Sequence, residues 1–219
     1  IHSAAAVKLD MTVSEAATQV YAPARQVLDF ALRIHAARRL QKYEYVSTLG
    51  VSGRTPGAIP EEPLRDLHGF HNEYERTKFK AENEVISALK DQDLPVTIHR
   101  PSMIIGRRTD GKIPNFQGFY FLCRFLTGRQ TGGILPSSDQ TFDLVPVDYV
   151  AQGIVQSLRE GIGTKGRIFH LSAGPQKSIG YKDLNRYLHF YALQRGKPLP
   201  RTYFMPPILF LAFLNTWAM

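Results

Sequence analysis

Cysteine is nearly absent from this sequence. The 219 residues contain one, Cys123, so no disulfide can form within the chain, and a reducing compartment is compatible with it. We therefore expect a cytoplasmic protein. Cys123 ends the apolar run Phe119–Cys123, where the expected role of its side chain is that of a small buried hydrophobic group.

Hydrophobic runs long enough to cross a membrane are also missing. The first residues, Ile1–Val7, lack the basic start of a signal peptide. The apolar stretch Met205–Met219 has only about 15 residues, and a spanning helix needs roughly 20. We expect a core or interface helix there, with peripheral contact to a membrane surface as the less favoured alternative. Since there is no initiator methionine and the chain stops inside an apolar segment, we expect it to be part of a longer protein.

Clustered positive charge is missing too, although the formal net charge is +8. The basic residues are scattered, and neither a zinc-ligand spacing nor an aromatic RNA-binding signature accompanies them. We expect no nucleic-acid partner; a positive surface equally suits phosphate-bearing ligands. No metal site is expected either, because His68 and His71 lie in a loop without a third nearby ligand.

Strand-like and helix-like segments alternate in the first half of the chain. Short β-prone runs occur at 43–48 and 95–100, and helical periodicity occurs from Pro23 to about Arg39 and from about Asn72 to Lys90. Ile1–Val7 reads as the end of a buried strand. This order predicts an α/β fold with the C-terminal half of a Rossmann-like parallel sheet joined by crossover helices.

The second half predicts a smaller α/β substrate lobe. Helical segments are expected at about 116–126, 145–159 and 181–194, with a strand at 168–171. We place a partial cofactor-binding core at residues 1–106. Residues 107–219 are then mainly a substrate-binding lobe, with some elements returning to the core.

Tyr74 and Lys78 carry the chemistry that this sequence predicts. Four residues apart, they share one face of a helix. Free tyrosine has a pKa of about 10, and a nearby ammonium favours the phenolate and lowers that pKa. Such a pair can exchange a proton with a substrate oxygen as that oxygen gains or loses charge.

Two further segments are predicted to face the same crevice. Thr48 follows a strand, and hydroxyls at the carboxyl ends of parallel strands lie where such sheets bind ligands. The segment Arg100–Gly106 follows the next strand and would line that crevice as well. Ser47 is a poor candidate for a hydrolase nucleophile, because no Gly-x-Ser-x-Gly elbow surrounds it.

Five short segments occur in the order and spacing of a known family: Ile1-His2-Ser3-Ala4-Ala5, Tyr45-Val46-Ser47-Thr48, Tyr74-x-x-x-Lys78, Arg100-Pro101-Ser102-x-Ile104-x-Gly106 and Val145-Pro146-Val147-Asp148-Tyr149-Val150-Ala151. The set resembles the extended short-chain dehydrogenase/reductases. Within them it is most similar to the thioester reductase branch. That branch includes the terminal reductase domains of carboxylic acid reductases and nonribosomal peptide synthetases, and the fatty acyl-CoA reductases.

The resemblance implies roles for individual residues. Tyr74 would protonate the reduced carbonyl oxygen, Lys78 would lower its pKa and bind the nicotinamide ribose, and Thr48 would hold the substrate oxygen. Residues expected along the cofactor are Ala4, Ala5, Pro101, Ser102 and Met103. The implied cofactor is NADP, with NAD possible. The implied substrate is a small-molecule or carrier-bound acyl group, and an acyl carrier domain could be fused to the chain or dock to it.

Two departures from the family pattern leave alternatives open. The Gly-x-x-Gly-x-x-Gly loop that seats a pyrophosphate is not in this sequence and would be expected before Ile1. The family's Asn-x-x-Gly-Thr is replaced by Val20-Tyr21-Ala22-Pro23-Ala24. One alternative is a sugar-nucleotide epimerase or dehydratase, or a hydroxysteroid-type dehydrogenase. The other is a degenerate Rossmann-like module that binds or regulates without catalysis.

Overall fold

The computed structural model describes residues 1–116 and 118–217, without the side chains of residues 214–217. In chain order its elements are α1 (Val13–Ala16), a π-helical segment (Ala17–Tyr21), α2 (Ala22–Ala36), β1 (Tyr43–Val46), a 3-10 turn (Leu49–Ser52), α3 (Glu73–Gln92), β2 (Val96–Pro101), β3 (Met103–Ile105), α4 (Phe119–Leu126), β4 (Ile134–Pro136), β5 (Thr141–Phe142), β6 (Leu144–Pro146), α5 (Val147–Arg159), a 3-10 turn (Gly161–Thr164), β7 (Ile168–Leu171), a 3-10 turn (Pro175–Lys177), β8 (Ile179–Gly180), α6 (Tyr181–Gln194), β9 (Tyr203–Met205) and α7 (Pro207–Trp217).

Two compact units divide the chain. The first comprises residues 1–113 and 145–172, and the second comprises residues 114–144 and 173–219. The chain therefore leaves the first unit after residue 113 and returns to it at residue 145. The helix α5 and the strand β7 belong to the part that returns.

A parallel sheet in the order β1-β2-β7 forms the centre of the first unit. Tyr43 pairs with Val96 at one end of the β1–β2 register and Val46 pairs with His99 at the other. His2 adds a single parallel bridge to Tyr45, so the strand predicted over residues 1–7 is reduced to one paired residue. The predicted α/β fold with a parallel sheet is confirmed.

The helix before β1 begins earlier than its periodicity indicated. Thr12 and Glu15 form a capping box, so the helical region starts at Val13 rather than near Pro23. The π-helical turn follows from Pro23, which has no N–H to donate to the carbonyl of Gln19. That carbonyl instead accepts the amide of Ala6, at 3.4 Å.

Helix α3 begins where its sequence predicted and ends two residues later, at Gln92 rather than Lys90. The Asn72 side chain accepts the amide of Glu75 at 2.9 Å and caps the first turn, and Asp93 ends the helix in the left-handed conformation. Apolar side chains of α2 and α3 pack with Tyr43 and Tyr45 on one face of the sheet to form the main hydrophobic core.

The opposite face of the sheet buries a polar network. The Glu44 carboxylate lies 2.7 Å from the Lys42 ammonium and 2.7 Å from Nε2 of His99. Ser157 on α5 donates to the same carboxylate, and the Lys42 ammonium also reaches the hydroxyl of Thr164, at 2.5 Å. Each of these charged groups thus has a partner away from water, which a buried charge requires.

The second unit contains two small strand pairs and three helices within its described part. β4 pairs in parallel with β9, and β5 pairs antiparallel with β8. A small hydrophobic core is formed by the side chains of Leu126, Leu135, Tyr181 and Leu184, and aromatic side chains of α4 pack against it. These short strands were not predicted, because two or three residues carry no detectable alternation. Helix α4 begins at Phe119, later than predicted, after Gly118 with φ of 31°.

The apolar C-terminal stretch forms α7, of which only Phe210 is deeply buried among the side chains described. Ile208, Leu209 and Leu211 are exposed. Part of the predicted stretch, residues 214–219, lies outside the described side chains. No helix in the described ranges combines the length and the apolar character needed to span a bilayer.

Candidate active site

Tyr74 and Lys78 lie on the buried face of α3, where only 8% of Tyr74 and 3% of Lys78 remain exposed. The capped start of the helix sets this register, because Asn72 fixes the first turn two residues before Tyr74. Both side chains belong to the first unit. The predicted helical pair is therefore present, and its two polar heads are largely withdrawn from water.

The surroundings of Tyr74 are apolar. It packs with Met11, Ala16 and Val20, and the half-buried Ala5 packs against the same cluster. Burial, with a smaller contribution from Glu75, raises the pKa of Tyr74 to about 12. The net shift is therefore upward, because burial disfavours the phenolate. The effect of Lys78 on this pKa stays a prediction. Val20 occupies the position at which the family pattern has a polar Asn.

Lys78 is held by a backbone carbonyl and an aromatic ring. Its ammonium donates to the carbonyl oxygen of Val46 at 2.8 Å and stands 4.9 Å from the ring centroid of Tyr45. Burial lowers the pKa of Lys78 to about 8, and the nearby Glu82 carboxylate opposes that shift. Near neutral pH the ammonium is thus charged but close to titration.

His2 completes this group from the amino-terminal segment. Its backbone pairs with β1, since the His2 amide donates to Glu44 and the Val46 amide donates to His2. Its ring stacks on Tyr45 with centroids 5.7 Å apart. Burial, followed by the charge of Lys78, lowers the pKa of His2 to about 4. The imidazole is neutral at physiological pH and packs between strand and helix.

Thr48 starts the 3-10 turn that follows β1. Its hydroxyl oxygen accepts the amide of Gly50 at 3.2 Å, which leaves its proton free to be donated. A Cβ built on Gly50 would lie 3.1 Å from the side chain of Glu75, so glycine allows this turn to pack closely against α3. The turn therefore brings Thr48 to the start of the helix that carries Tyr74.

The other predicted cofactor residues lie at the carboxyl ends of the sheet or beside it. Pro101 ends β2 and is buried, the Ser102 amide donates to the carbonyl of Leu171 at 3.1 Å, and Met103 starts β3 half-buried. Ala4 is exposed, whereas Ala5 reaches the cluster around Tyr74. Of these residues, the structure thus packs only Ala5 against the cluster of Tyr74 within the described ranges.

Three side chains at this site were given no individual role by the sequence, although Tyr45 and Arg100 lie in the motifs quoted from it. Tyr45 supplies the ring beneath Lys78, and Glu82 and Arg100 form a buried ion pair of 2.7 Å. Glu82 stands four residues beyond Lys78, so the spacing 74, 78, 82 was the available signal. Arg100 lies in the segment predicted to line the crevice, but its pairing with Glu82 depends on tertiary contact and had no signal in the sequence.

Two buried hydroxyls bear on whether these residues fit a nicotinamide cofactor. The hydroxyls of Ser47 and Ser102 are buried without a hydrogen-bond partner in the part of the chain described. Each follows a parallel strand, at the edge of the sheet where α/β folds bind ligands. Together with the ammonium of Lys78 and the small side chains of Ala4 and Ala5, they fit the polar ribose end of such a cofactor. The sequence contains no loop for the pyrophosphate.

Comparison with known families identifies the chain. A family model described as Male sterility protein matches residues 1–154. The chain belongs to the Male sterility protein family. This membership confirms the predicted resemblance to the branch of thioester reductases and fatty acyl-CoA reductases.

Individual relatives agree with the family assignment. The chain is 32% identical over 123 residues to an isonitrile lipopeptide synthase of Streptomyces coeruleorubidus, covering 55% of this chain and 8% of that protein. It is 26% identical over 134 residues to fatty acyl-CoA reductase 1 of Arabidopsis thaliana, covering 59% and 27%. The chain thus spans a minor part of both curated relatives.

Solved structures with the same architecture include the terminal R domain from the myxalamid PKS-NRPS biosynthetic pathway. That domain superposes with a TM-score of 0.72 at 27% identity, covering 99% of this chain and 52% of the other. The UDP-glucuronic acid 4-epimerase from Bacillus cereus, at 20% identity, has a TM-score of 0.69 over 94% of this chain and 62% of its own. At that identity the likeness concerns the fold alone.

Proposed function

We propose that the chain is the catalytic and substrate-binding part of an NAD(P)H-dependent reductase that converts an acyl thioester to an aldehyde or alcohol. The observation that carries this proposal is the buried Tyr74–Lys78 pair, with Lys78 bonded to the carbonyl two residues before Thr48. The family and its named reductase relative support it.

Tyr74 is proposed as the general acid. Reduction of a thioester carbonyl requires two electrons, delivered as hydride to carbon, and one proton, delivered to oxygen. With its pKa raised to about 12, the phenol is fully protonated at neutral pH. Such a weak acid suits an alkoxide, which is more basic than the carbonyl from which it forms. Collapse of the resulting hemithioacetal breaks the C–S bond, and the hydroxyl proton passes to sulfur as thiol and aldehyde are released. The Tyr74 phenolate then regains a proton from water.

Lys78 is proposed to stabilise the charge that this proton transfer creates, and Thr48 is proposed to position the substrate oxygen. The ammonium of Lys78 stabilises negative charge that develops on the phenol as the proton leaves, and the Thr48 hydroxyl donates to the same substrate oxygen. A bound nicotinamide cofactor, NADPH or NADH, supplies the hydride. The residues proposed to hold it are Ala4, Ala5, Tyr74, Lys78, Pro101, Ser102 and Met103.

The second unit is proposed to bind the acyl chain. Its described core consists of aromatic and aliphatic side chains. Phe119, Leu122 and Phe125 of α4 are partly buried and pack against that core. Apolar contacts of this kind suit an acyl chain better than a nucleotide sugar. Because relatives include a lipopeptide synthase and a fatty acyl-CoA reductase, we propose that the acyl group arrives on a carrier domain or on CoA. A cytoplasmic location remains a prediction.

Substitution of one hydroxyl tests this function. In the intact protein, Tyr74→Phe should reduce turnover of acyl-CoA or carrier-bound substrate with NADPH by roughly 10²–10⁴-fold, since a general acid is lost. NADPH affinity, measured by fluorescence titration, should change far less than turnover, since only one hydroxyl is lost and the other residues proposed to hold the cofactor remain. Tyr43→Phe is the matched control, because Tyr43 is equally buried and its hydroxyl has no partner among described residues.

A substrate panel separates the competing functions. Turnover of nucleotide sugars with none of acyl thioesters would replace this proposal with the epimerase or dehydratase alternative. Binding of NADPH without turnover of either class would favour a non-catalytic module. Equal activity in Tyr74→Phe and wild type would remove Tyr74 from its proposed role.

A further inference from the structure

Arg100 and Glu82 form an ion pair that is fully enclosed in the first unit. Arg100 is 0% exposed and Glu82 is 1% exposed. The guanidinium donates from Nε to both carboxylate oxygens at 3.2 Å and from Nη2 to one of them at 2.7 Å. This forked geometry joins β2 to α3 one turn beyond Lys78.

The same guanidinium also holds the long loop before α3. Nη1 donates to the carbonyl of Pro60 at 3.2 Å and Nη2 donates to the carbonyl of Glu62 at 2.9 Å. Between them, the Glu61 carboxylate accepts the amide of His170 on β7 at 2.6 Å. Residues 53–71 are otherwise largely exposed and form neither helix nor strand. These bonds therefore fasten the segment that connects Thr48 to Tyr74.

Glu82 lies four residues after Lys78, so the two buried side chains share one face of α3. The groups around Lys78 are His2 from the amino-terminal segment, Tyr45 and the Val46 carbonyl from β1, and Tyr74 and Glu82 from its own helix. Of these, His2 and Tyr74 are neutral and Tyr45 contributes a ring, so Glu82 is the group that brings negative charge. It counteracts the effect of burial on the ammonium.

We propose that Glu82 and Arg100 are a positioning pair for this site: Arg100 fixes the loop between Thr48 and Tyr74, and Glu82 supplies the negative charge that stabilises the Lys78 ammonium. This inference deepens the proposed function. The expected effects of the pair on catalysis rest on the proposed reductase activity. The two halves of the proposal require different variants, because one concerns charge and the other concerns geometry.

The charge half is tested by titrating Lys78 directly. In the protein labelled with ¹³C-lysine, NMR of the Cε–Hε groups reports the pKa of Lys78, with assignment from Lys78→Arg. Glu82→Gln keeps the shape and removes the charge, and it should lower that pKa by about one unit. Glu84→Gln is the matched control: this carboxylate lies on the same helix but pairs with Arg25, and its loss should leave the pKa of Lys78 unchanged.

A second variant controls for the unpaired guanidinium that Arg100 would carry in Glu82→Gln. Glu82→Gln combined with Arg100→Gln removes both charges, and the lowered pKa of Lys78 should persist. An unchanged pKa in the double variant, or equal shifts in Glu82→Gln and Glu84→Gln, overturns the charge half. This titration needs no turnover, so its outcome stands even where the proposed reductase activity fails.

The geometric half is tested with Arg100→Lys. A single ammonium keeps the positive charge beside Glu82 but cannot reach the carboxylate and both loop carbonyls at once. We expect kcat to fall about tenfold to a hundredfold from misplacement of the reacting groups, with the pKa of Lys78 unchanged. In Glu82→Gln, by contrast, the decline of kcat at alkaline pH should move to lower pH. Wild-type kcat in folded Arg100→Lys, with its folding checked by urea unfolding, overturns this half.

Discussion

Two lysines are buried in the first unit, and their surroundings differ. Lys42 has a carboxylate at 2.7 Å, the hydroxyls of Ser157 and Thr164 within 3.0 Å, and the Ser157 carbonyl, so all its donors are directed at acceptors. Lys78 has one carbonyl, the face of an aromatic ring and the more distant charge of Glu82, whose carboxylate is paired directly with Arg100. Burial lowers the pKa of Lys78 to about 8.

The difference separates a lysine that stabilises the fold from one suited to chemistry. An ammonium surrounded by acceptors ties strand, helix and turn together, and its loss leaves a carboxylate unpaired in the interior. An ammonium with little counter-charge destabilises the folded state but can stabilise charge that appears during a reaction. Both side chains are hidden from water, so burial by itself does not distinguish the two roles.

Replacing each lysine with methionine should have the largest effect and tests the comparison directly. Lys42→Met leaves Glu44 with the imidazole of His99 and a hydroxyl, and it should lower the free energy of unfolding by about 3–5 kcal/mol. Lys78→Met removes a poorly compensated charge, and it should leave stability unchanged or raise it by up to about 2 kcal/mol, while abolishing the proposed turnover. Urea unfolding at pH 7 measures both. Equal destabilisation by the two substitutions would contradict the comparison.

An intermediate effect is expected in the pH dependence of stability. The pKa of His2 is lowered to about 4 in the folded protein. The unfolded chain therefore binds the His2 proton more readily, and the stability that this histidine contributes is lost as the pH falls below about 6.5 towards 4. Between pH 7 and pH 5 the loss should be about 2 kcal/mol.

His2→Phe isolates that contribution, because phenylalanine can still stack on Tyr45 but cannot take up a proton. Urea midpoints at pH 7 and pH 5 should converge in this variant relative to wild type. Since the charge of Lys78 contributes to the lowered pKa of His2, Lys78→Met should reduce the acid sensitivity as well. An equal loss in wild type and His2→Phe would show that His2 does not cause the acid sensitivity. An equal loss in wild type and Lys78→Met would show that the titration of His2 does not depend on Lys78.

The smallest effect is expected from the start of α3. Asn72→Ala removes the cap that accepts the Glu75 amide, at a cost of about 1 kcal/mol. It changes no charge near Lys78, so the alkaline decline of activity should keep its position. Thermal unfolding and the pH profile of kcat check this together. A shifted profile would mean that helix stability, rather than counter-charge, sets the titration of Lys78.

The two halves of the site differ in how far they could be predicted. The cap at Asn72 and the four-residue spacing of Tyr74 and Lys78 are local signals, and α3 follows them. The pKa of Tyr74 could not be predicted in the same way. It depends on Val20 and Met11, which reach the phenol from another helix and from the segment before it.

The sequence by itself determined the α/β class, the family and the helix that carries the tyrosine and lysine, because periodicity, capping and motif order act over short distances along the chain. Only the tertiary structure decided which charges are compensated. Glu44 meets His99 and Ser157, and Glu82 meets Arg100, across separations that no local pattern records. Electrostatic free energy depends on distance and burial in space, so the roles of the two buried lysines became distinct only after folding.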